Sequence, residues 1–242
     1  MACRMLLAAG RFPWPSLLDG FKLMAQNENE VHEYRCLRTH VHEDGWGVMA
    51  RSAGEVMFHK NTVACWRDPA FTDLYGLTPD LVVLHARRAS PGTAVDHEST
   101  HPFRGGDCYF CHNGMIYDFA GGERSDSQQF FALILRCAKQ CRDMGVAISR
   151  TVRHIKDFSA LNFILCRGER CYVLNMYGSR GEATPRYYTM KYLAAEDYVA
   201  VASERLPEVG QQWQEMKNET LLTLSLPGRQ IEIRDIPGRR HG

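Results

Sequence analysis

The feature that most constrains the fold is a long succession of short strand-like runs. Most of these runs have four to seven residues, are rich in β-branched and aromatic side chains, and end at Gly, Pro, Asp or Asn. Gly168 and Glu169 separate two of the runs and predict a hairpin. Many strands around a few helices favour an α+β domain in which antiparallel sheets pack on each other. The predicted strands are Met5–Ala9, Trp46–Ala50, Glu55–His59, Leu81–His85, Tyr109–His112, Leu161–Cys166, Cys171–Asn175, Tyr187–Tyr192, Tyr198–Ala202, Leu221–Leu226 and Gln230–Arg234.

Three segments carry helix signals. Ser16 is predicted to cap a short helix whose apolar residues continue to Met24. The clearest helix begins at Ser125, because Ser125–Gln128 is a capping box and apolar residues then recur at helical spacing. A third helix is predicted over Val146–Ile155.

Length and composition fit one globular domain covering residues 1–242. Lys and Arg together number 29 and Asp and Glu 28, which excludes a chain built mainly to coat nucleic acid or anionic membranes. No run approaches the roughly 18 apolar residues of a membrane helix, and the apolar run near Met5 is too short for a signal peptide. We therefore predict a cytoplasmic protein whose nine cysteines are mostly small buried side chains.

The segment His97–His101 matches the metalloprotease pattern H-E-x-x-H. Zinc binding by this pattern requires a helix, which places both imidazoles on one face. Pro102 follows directly and disfavours helical geometry at His101. We therefore predict a polar loop that enters a strand, with a zinc peptidase as the less favoured alternative.

The segment Cys108–His112 matches the haem-attachment pattern C-x-x-C-H. Covalent haem belongs with exported chains, and residues Tyr109 and Phe110 suit a strand. We therefore predict buried thiols on a strand, and neither a metal nor a cofactor.

Cys3 lies close enough to the start of the chain to become its N-terminal residue. A terminal cysteine carries its own base, because a free α-amine has a pKa near 8 and can take the thiol proton. Cys3 is therefore a candidate nucleophile.

Other segments carry groups that complement such a nucleophile. Arg87 follows the strand that contains Leu84, and its guanidinium can bind a carboxylate through two parallel hydrogen bonds. Asn113 and the backbone N–H of Gly114 can form an oxyanion hole at another strand end. Asp126 offers a carboxylate to an ammonium group. These groups suit a zwitterionic amino acid with a reactive side-chain carbonyl.

Six pieces of the sequence together resemble the class II glutamine amidotransferases, which are N-terminal-nucleophile hydrolases. The similarity is greatest to the stand-alone branch with the ergothioneine-pathway γ-glutamyl hydrolase and the glutathione-degrading amidotransferase subunit. The pieces are Cys3-Arg4-Met5-Leu6, Asp44-Gly45-Trp46-Gly47, His85-Ala86-Arg87, Thr100-His101-Pro102-Phe103, His112-Asn113-Gly114 and Ser125-Asp126.

The resemblance implies a four-layer αββα sandwich of two antiparallel sheets and a role for each site residue. Cys3 would attack the γ-carbonyl of glutamine or of a γ-glutamyl compound, with its α-amine as base. Asn113 and Gly114 would hold the oxyanion. Arg87 would bind the substrate carboxylate and Asp126 its α-ammonium group.

Two further residues are expected at the substrate pocket. Ser90 would line it, and His101 would either line it or have a structural role, without binding zinc. In the family the nucleophile normally follows the initiator methionine, whereas here Ala2 intervenes. Three interpretations stay open: Met1 and Ala2 are cleaved, the extra residue comes from start-site assignment or cloning, or the chain is a non-catalytic γ-glutamyl binding subunit. Arg88 also departs from the family, since many relatives carry Lys or an apolar residue there.

No synthase domain follows in this sequence, so we expect either water as the acceptor or transfer of ammonia to a separate chain. Neither a nucleic-acid partner nor a membrane partner is expected, and a homo-oligomer is left open.

Overall fold

The computed structural model describes residues 3–29, 40–90, 92–119, 121, 124–178 and 184–236. Its helices are α1 (Trp14–Gln26), α2 (Pro69–Asp73), α3 (Asp126–Ala138), α4 (Met144–Arg153) and α5 (Thr184–Tyr188). Its strands are β1 (Arg4–Gly10), β2 (Trp46–Ser52), β3 (Glu55–Asn61), β4 (Leu81–Ala86), β5 (Phe103–Gly105), β6 (Cys108–Asn113), β7 (Asn162–Arg167), β8 (Arg170–Asn175), β9 (Lys191–Ala194), β10 (Tyr198–Ala202), β11 (Gln214–Glu215), β12 (Thr220–Ser225) and β13 (Gln230–Asp235).

The strands form two antiparallel sheets. One sheet has the order β11-β9-β10-β1-β4-β2-β3 and the other has the order β13-β12-β8-β7-β6-β5. Strand β1 lies in the middle of the first sheet, between β10 and β4. Strand β6 lies beside the edge of the second, between β5 and β7.

Three apolar clusters show that the molecule has four layers. Because strand side chains alternate, Leu6 and Ala8 face helix α1, while Met5 and Leu7 face the second sheet. The outer face of the second sheet packs against α3 and α4. The predicted αββα sandwich of two antiparallel sheets is confirmed.

The helix predictions hold except at one cap. Ser125 accepts a hydrogen bond from the Gln128 backbone N–H, and the Gln128 side chain accepts one from the Ser125 N–H, so the capping box is present. Helix α4 begins two residues before the predicted start, with Asp143 as its cap. The predicted Ser16 cap is wrong: α1 already begins at Trp14, because Pro15 lies in the first turn of the helix, where proline is well tolerated.

One strand prediction is wrong in its first half. Residues 184–188 form helix α5, and β9 begins only at Lys191. Tyr187 and Tyr188 are buried against Ala160, and this tertiary packing overrides the strand preference of tyrosine. The other predicted strands are present, including the hairpin β7–β8 around Gly168, whose φ is +54°.

Both metal-like motifs adopt the structure that the sequence favoured. Residues 97–99 form a turn, with β5 beginning at Phe103, so the two imidazoles do not share a helical face. Cys108 and Cys111 lie on β6 and face opposite sides of the sheet, so they do not form a thiol pair.

Among the described helices, none combines the length and the apolar character that crossing a membrane requires.

Candidate active site

The candidate nucleophile, Cys3, lies where the two sheets meet. Its backbone N–H donates a hydrogen bond to Asn113 Oδ1 at 2.7 Å, across 110 positions of sequence. Cys3 immediately precedes β1 of the first sheet, and Asn113 ends β6 of the second. This contact therefore joins the two sheets at the strand ends that carry the predicted site.

The register of β1 and β4 brings Arg87 to the same place. Arg4 pairs with Ala86 and Met5 with His85, so one further step sets Cys3 opposite Arg87. Both residues continue the odd-numbered series that faces the second sheet, as Met5, Leu7 and their partners do.

The Arg87 guanidinium is buried with part of its hydrogen-bonding capacity unused. The residue is 6% exposed, and its Nη2 donates to the carbonyl of Ala94 at 2.8 Å. Its Nη1 is buried without a hydrogen-bond partner. Because a buried unpaired donor is costly, a ligand with an acceptor group is the natural complement to this atom.

The Asp44–Gly47 segment holds the Arg87 loop in position. The Arg87 N–H donates to the Gly45 carbonyl at 2.8 Å, and the Asp44 N–H donates to the Arg87 carbonyl at 3.1 Å. The Asp44 carboxylate also accepts from the Ala89 N–H at 2.8 Å. A Cβ at Gly47 would lie 2.3 Å from the His101 carbonyl oxygen, so only glycine lets the His101 segment pack there.

Gly114 makes a tight bend after β6, which we call the Gly114 bend (Asn113, Gly114 and Met115). Its φ is +149°, and a Cβ would lie 1.9 Å from the carbonyl oxygen of Ala160. The backbone of Gly114 therefore approaches the strand that leads into β7 more closely than a side chain permits.

Asp126, the first residue of α3, connects that helix to the bend. Its Oδ2 accepts from the Ile116 N–H at 2.8 Å, and its Oδ1 accepts from the Ser127 N–H at 2.7 Å. Each carboxylate oxygen has more than one lone pair, so the group can still accept from a ligand. The carboxylate lies near enough to the Cys3 thiol to affect its pKa.

The surroundings of Cys3 favour a protonated thiol. Burial raises the pKa of Cys3, and the negative charge of Asp126 raises it further. The positive charge of Arg87 lowers this pKa without overcoming the effect of burial. The Cys3 thiol donates a hydrogen bond to the Arg88 carbonyl, with 3.9 Å between Sγ and the oxygen. A reaction through this sulfur therefore needs a base.

His101 packs between two aromatic rings. Its ring lies 4.4 Å from that of His85, tilted by 35°, and stacks on Phe103 at 4.0 Å between centroids. Burial lowers the pKa of His101 well below its ordinary value and the pKa of His85 to about 3, so both rings are neutral.

Ser90 lies in the loop after Arg87. Its carbonyl accepts from the N–H and the hydroxyl of Thr93, at 3.0 and 2.6 Å. Within the described part of the chain, no group of three or more acidic, histidine or cysteine side chains is arranged to hold a metal ion.

Sequence reasoning missed two polar contacts that support the site. His112 Nδ1 lies 2.7 Å from the hydroxyl of Ser127, and Trp46 Nε1 donates to Asp68 at 2.8 Å. Asp68 could have been found as a helix cap, since it precedes Pro69. The Ser127 contact had no local signal, because it depends on how α3 lies across β6.

The solved structures that resemble this chain include amidotransferases. The B. subtilis glutamine phosphoribosylpyrophosphate amidotransferase, complexed with ADP and GMP, is 16% identical with a TM-score of 0.68 over 98% of this chain and 50% of that one. A class-II glutamine aminotransferase domain protein from Silicibacter pomeroyi is 17% identical with a TM-score of 0.62, covering 96% and 99%. A predicted glutamine amidotransferase from Pseudomonas aeruginosa is 14% identical with a TM-score of 0.53, covering 96% and 95%.

These likenesses concern the fold. The chain spans about half the length of the B. subtilis enzyme, and a search of curated proteins found no match. The sequence does match the family model of the class-II glutamine amidotransferases over residues 28–179, a segment that includes Arg87, Asn113, Gly114 and Asp126 and begins after Cys3. On this match and the shared fold, the chain belongs to the class-II glutamine amidotransferases.

Proposed function

We propose that the protein hydrolyses the γ-amide bond of glutamine or of a γ-glutamyl compound, with Cys3 as the nucleophile. The observation that carries this proposal is the 2.7 Å contact between the Cys3 nitrogen and Asn113 Oδ1. This contact sets Cys3 beside an amide, and the charges of Arg87 and Asp126 act on the same thiol. Together these groups complement a γ-glutamyl group.

The two charged side chains would fix the amino-acid end of the substrate. The unpaired Nη1 of Arg87 is suited to the α-carboxylate, since a charge-assisted hydrogen bond satisfies a buried guanidinium. The Asp126 carboxylate is suited to the α-ammonium group. Substrate bound between them directs its γ-carbonyl toward the region of Cys3.

The chemistry then follows from the groups at the strand ends. The Cys3 α-amine takes the thiol proton, and the sulfur attacks the γ-carbonyl carbon to give a tetrahedral intermediate. Since Asn113 Oδ1 accepts from the Cys3 nitrogen, its Nδ2 is the group left to donate to the oxyanion, together with the Gly114 N–H. The amine returns the proton to the leaving nitrogen, and water hydrolyses the thioester to release the glutamyl acid.

This mechanism requires Cys3 to be the N-terminal residue of the active protein. While Ala2 is attached, the Cys3 nitrogen is an amide without a basic lone pair, and the thiol pKa is raised. The uncleaved chain therefore corresponds to the second candidate function, a γ-glutamyl binding subunit without turnover. We also propose a cytoplasmic location. The ammonia is either released or passed to a separate chain.

The N-terminus and the activity can be tested together. Intact-mass measurement is expected to show a terminus at Cys3 in active protein, which releases ammonia or an amine from glutamine or γ-glutamyl amides. Cys3→Ala is expected to lower turnover by more than about 10³-fold, because the covalent route is lost. Cys137→Ala is the matched control, since Cys137 is a partly exposed thiol at the end of α3 opposite to Asp126.

Turnover by protein that retains Ala2, or full activity of Cys3→Ala, would contradict the mechanism. Binding of γ-glutamyl compounds by protein that shows no turnover, with Ala2 at its terminus, would instead support the binding subunit.

The proposed roles of Arg87 and Asn113 predict different kinetic effects. Arg87→Ala is expected to raise KM by two orders of magnitude or more, because a buried charge-assisted contact to a carboxylate is worth several kcal/mol. Asn113→Ala is expected to lower kcat by about 10²–10³, since it removes an oxyanion donor. Steady-state kinetics with glutamine measure both, and an unchanged KM in Arg87→Ala would remove Arg87 from the site.

A further inference from the structure

Ser159 holds both polar groups of the Met115 backbone. The Met115 N–H donates to Ser159 Oγ at 2.9 Å, and the Ser159 N–H donates to the Met115 carbonyl at 2.8 Å. Met115 directly follows Gly114, so this two-point contact fixes one end of the Gly114 bend. The neighbouring bridge between Ile116 and Phe158 continues the same pairing away from the bend.

Tyr188 in turn holds the Ser159 side chain. The Tyr188 hydroxyl donates to Ser159 Oγ at 3.2 Å, which uses the second lone pair of that oxygen. The Tyr188 residue is 9% exposed, and its carbonyl accepts from the Asn162 side chain at 2.5 Å. Asn162 is fully buried and its Oδ1 accepts from the Met176 N–H at 2.8 Å. The tyrosine is therefore anchored at both ends.

A glycine at the bend makes this support necessary. Gly114 has no side chain to restrict its backbone, and glycine loses more conformational freedom on ordering than any other residue. At the other end of the bend, the Asn113 backbone is held by its pairing with Asn162 between β6 and β7. The direction of the Gly114 N–H thus depends on the peptide groups on either side of it, and Ser159 holds the one that follows.

We propose that Ser159 and Tyr188 are positioning residues that aim the Gly114 N–H at the developing oxyanion. Tyr188 acts through Ser159, whose hydroxyl it holds. This inference rests on the proposed function, because it assigns the role of the bend in γ-amide hydrolysis.

The kinetic test uses Ser159→Ala, Tyr188→Phe and the double variant. We expect kcat for glutamine to fall about 10–100-fold in Ser159→Ala and about 3–10-fold in Tyr188→Phe, less than for a direct oxyanion donor. KM should stay within about twofold, since Arg87 and Asp126 bind the substrate elsewhere. The double variant should resemble Ser159→Ala, because Tyr188 has no further effect once the hydroxyl is gone.

Two matched variants separate positioning from general packing. Ser159→Thr keeps the hydroxyl and should retain most of kcat. Tyr177→Phe removes the hydroxyl of another tyrosine in the same cluster, one that accepts from Thr189, and should leave kcat unchanged. Equal rises in KM and falls in kcat, or additive losses in the double variant, would overturn the proposal.

Amide hydrogen exchange provides a measurement that does not need turnover. Protection of the Met115 N–H should fall at least about tenfold in Ser159→Ala and stay unchanged in Tyr177→Phe. If the wild-type protein hydrolyses no γ-glutamyl amide, the proposed function fails. A loss of Met115 protection in Ser159→Ala would even then show that Ser159 holds the Gly114 bend. Unchanged Met115 protection in Ser159→Ala would overturn the proposal even in an active enzyme.

Discussion

At the scale of single residues, Gly114 satisfies two constraints at once. Its φ of +149° is rarely adopted by residues with a side chain, and any Cβ would overlap the Ala160 carbonyl. Both constraints arise where the chain turns from β6 toward the site. The same position therefore links the stability of the fold to the proposed chemistry.

Gly114→Ala is expected to lower the free energy of unfolding by about 2–4 kcal/mol, from backbone strain and a steric clash together. Gly106→Ala is the control, because Gly106 has φ +64° but open space around its Cβ position. Gly106→Ala should lower the free energy of unfolding by only about 1 kcal/mol. Urea denaturation measures both variants, and equal losses would show that the contact with Ala160 is unimportant.

At the scale of elements, the start of α3 has two tasks. The capping box at Ser125 satisfies the first free N–H groups of the helix, and the next residue, Asp126, holds the Ile116 N–H. The helix start thereby fixes the carboxylate that the proposed mechanism assigns to the substrate ammonium group.

Ser125→Ala is expected to cost about 1 kcal/mol in the free energy of unfolding, because it removes the cap of α3. Ser149→Ala is the matched control: Ser149 lies inside α4 and its hydroxyl donates only to the Gly145 carbonyl. The free energy of unfolding of Ser149→Ala should stay within about 0.5 kcal/mol of the wild-type value. Thermal or urea unfolding decides between them, and a loss in Ser149→Ala as large as in Ser125→Ala would contradict the capping argument.

At the scale of the whole molecule, the contact region of the two sheets contains neutral imidazoles. The Nε2 atom of His85 on β4 lies 3.4 Å from the carbonyl oxygen of His112 on β6. Burial lowers the pKa of His85 to about 3, and it also lowers the pKa of His101 and of His112. These rings are neutral in the folded protein and take up protons on unfolding.

The protein is therefore expected to lose stability as the pH falls from about 6.5 toward 3. In that range the unfolded state binds protons at its histidines, with ordinary pKa values near 6.5, while the folded state does not. His85→Gln should make the dependence of the unfolding free energy on pH shallower. A folded-state titration of His85 near pH 6.5 would contradict this prediction.

Much of the fold and of the site was predictable, and the failures share one cause. Local signals were sufficient for the Ser125 capping box, for strand β6 and for the turn at His97. They failed at Tyr187 and Tyr188, whose conformation follows from burial against Ala160. They also missed the short strand β11, which is too brief to show an alternating pattern.

The chemical types at the site were visible in the sequence, whereas their supporting contacts were not. Cys3, Arg87, Asn113 and Asp126 each stand at the start or end of a strand or helix, where a functional side chain is recognisable. Ser159 gave no such signal, because its role depends on a pairing with Met115 across 44 positions. The single domain over residues 1–242 and the cytoplasmic location stay predictions.

The sequence by itself determined an α+β class with packed antiparallel sheets, through its many short strands, and the set of groups available for chemistry. The four αββα layers came from its resemblance to a known family. Only the tertiary structure decided that Cys3 contacts Asn113 and that Arg87 lies opposite Cys3, because register and the packing of the two sheets set these contacts. The physical reason is that periodicity records which face of an element is buried, while long-range contacts depend on how those faces pack together.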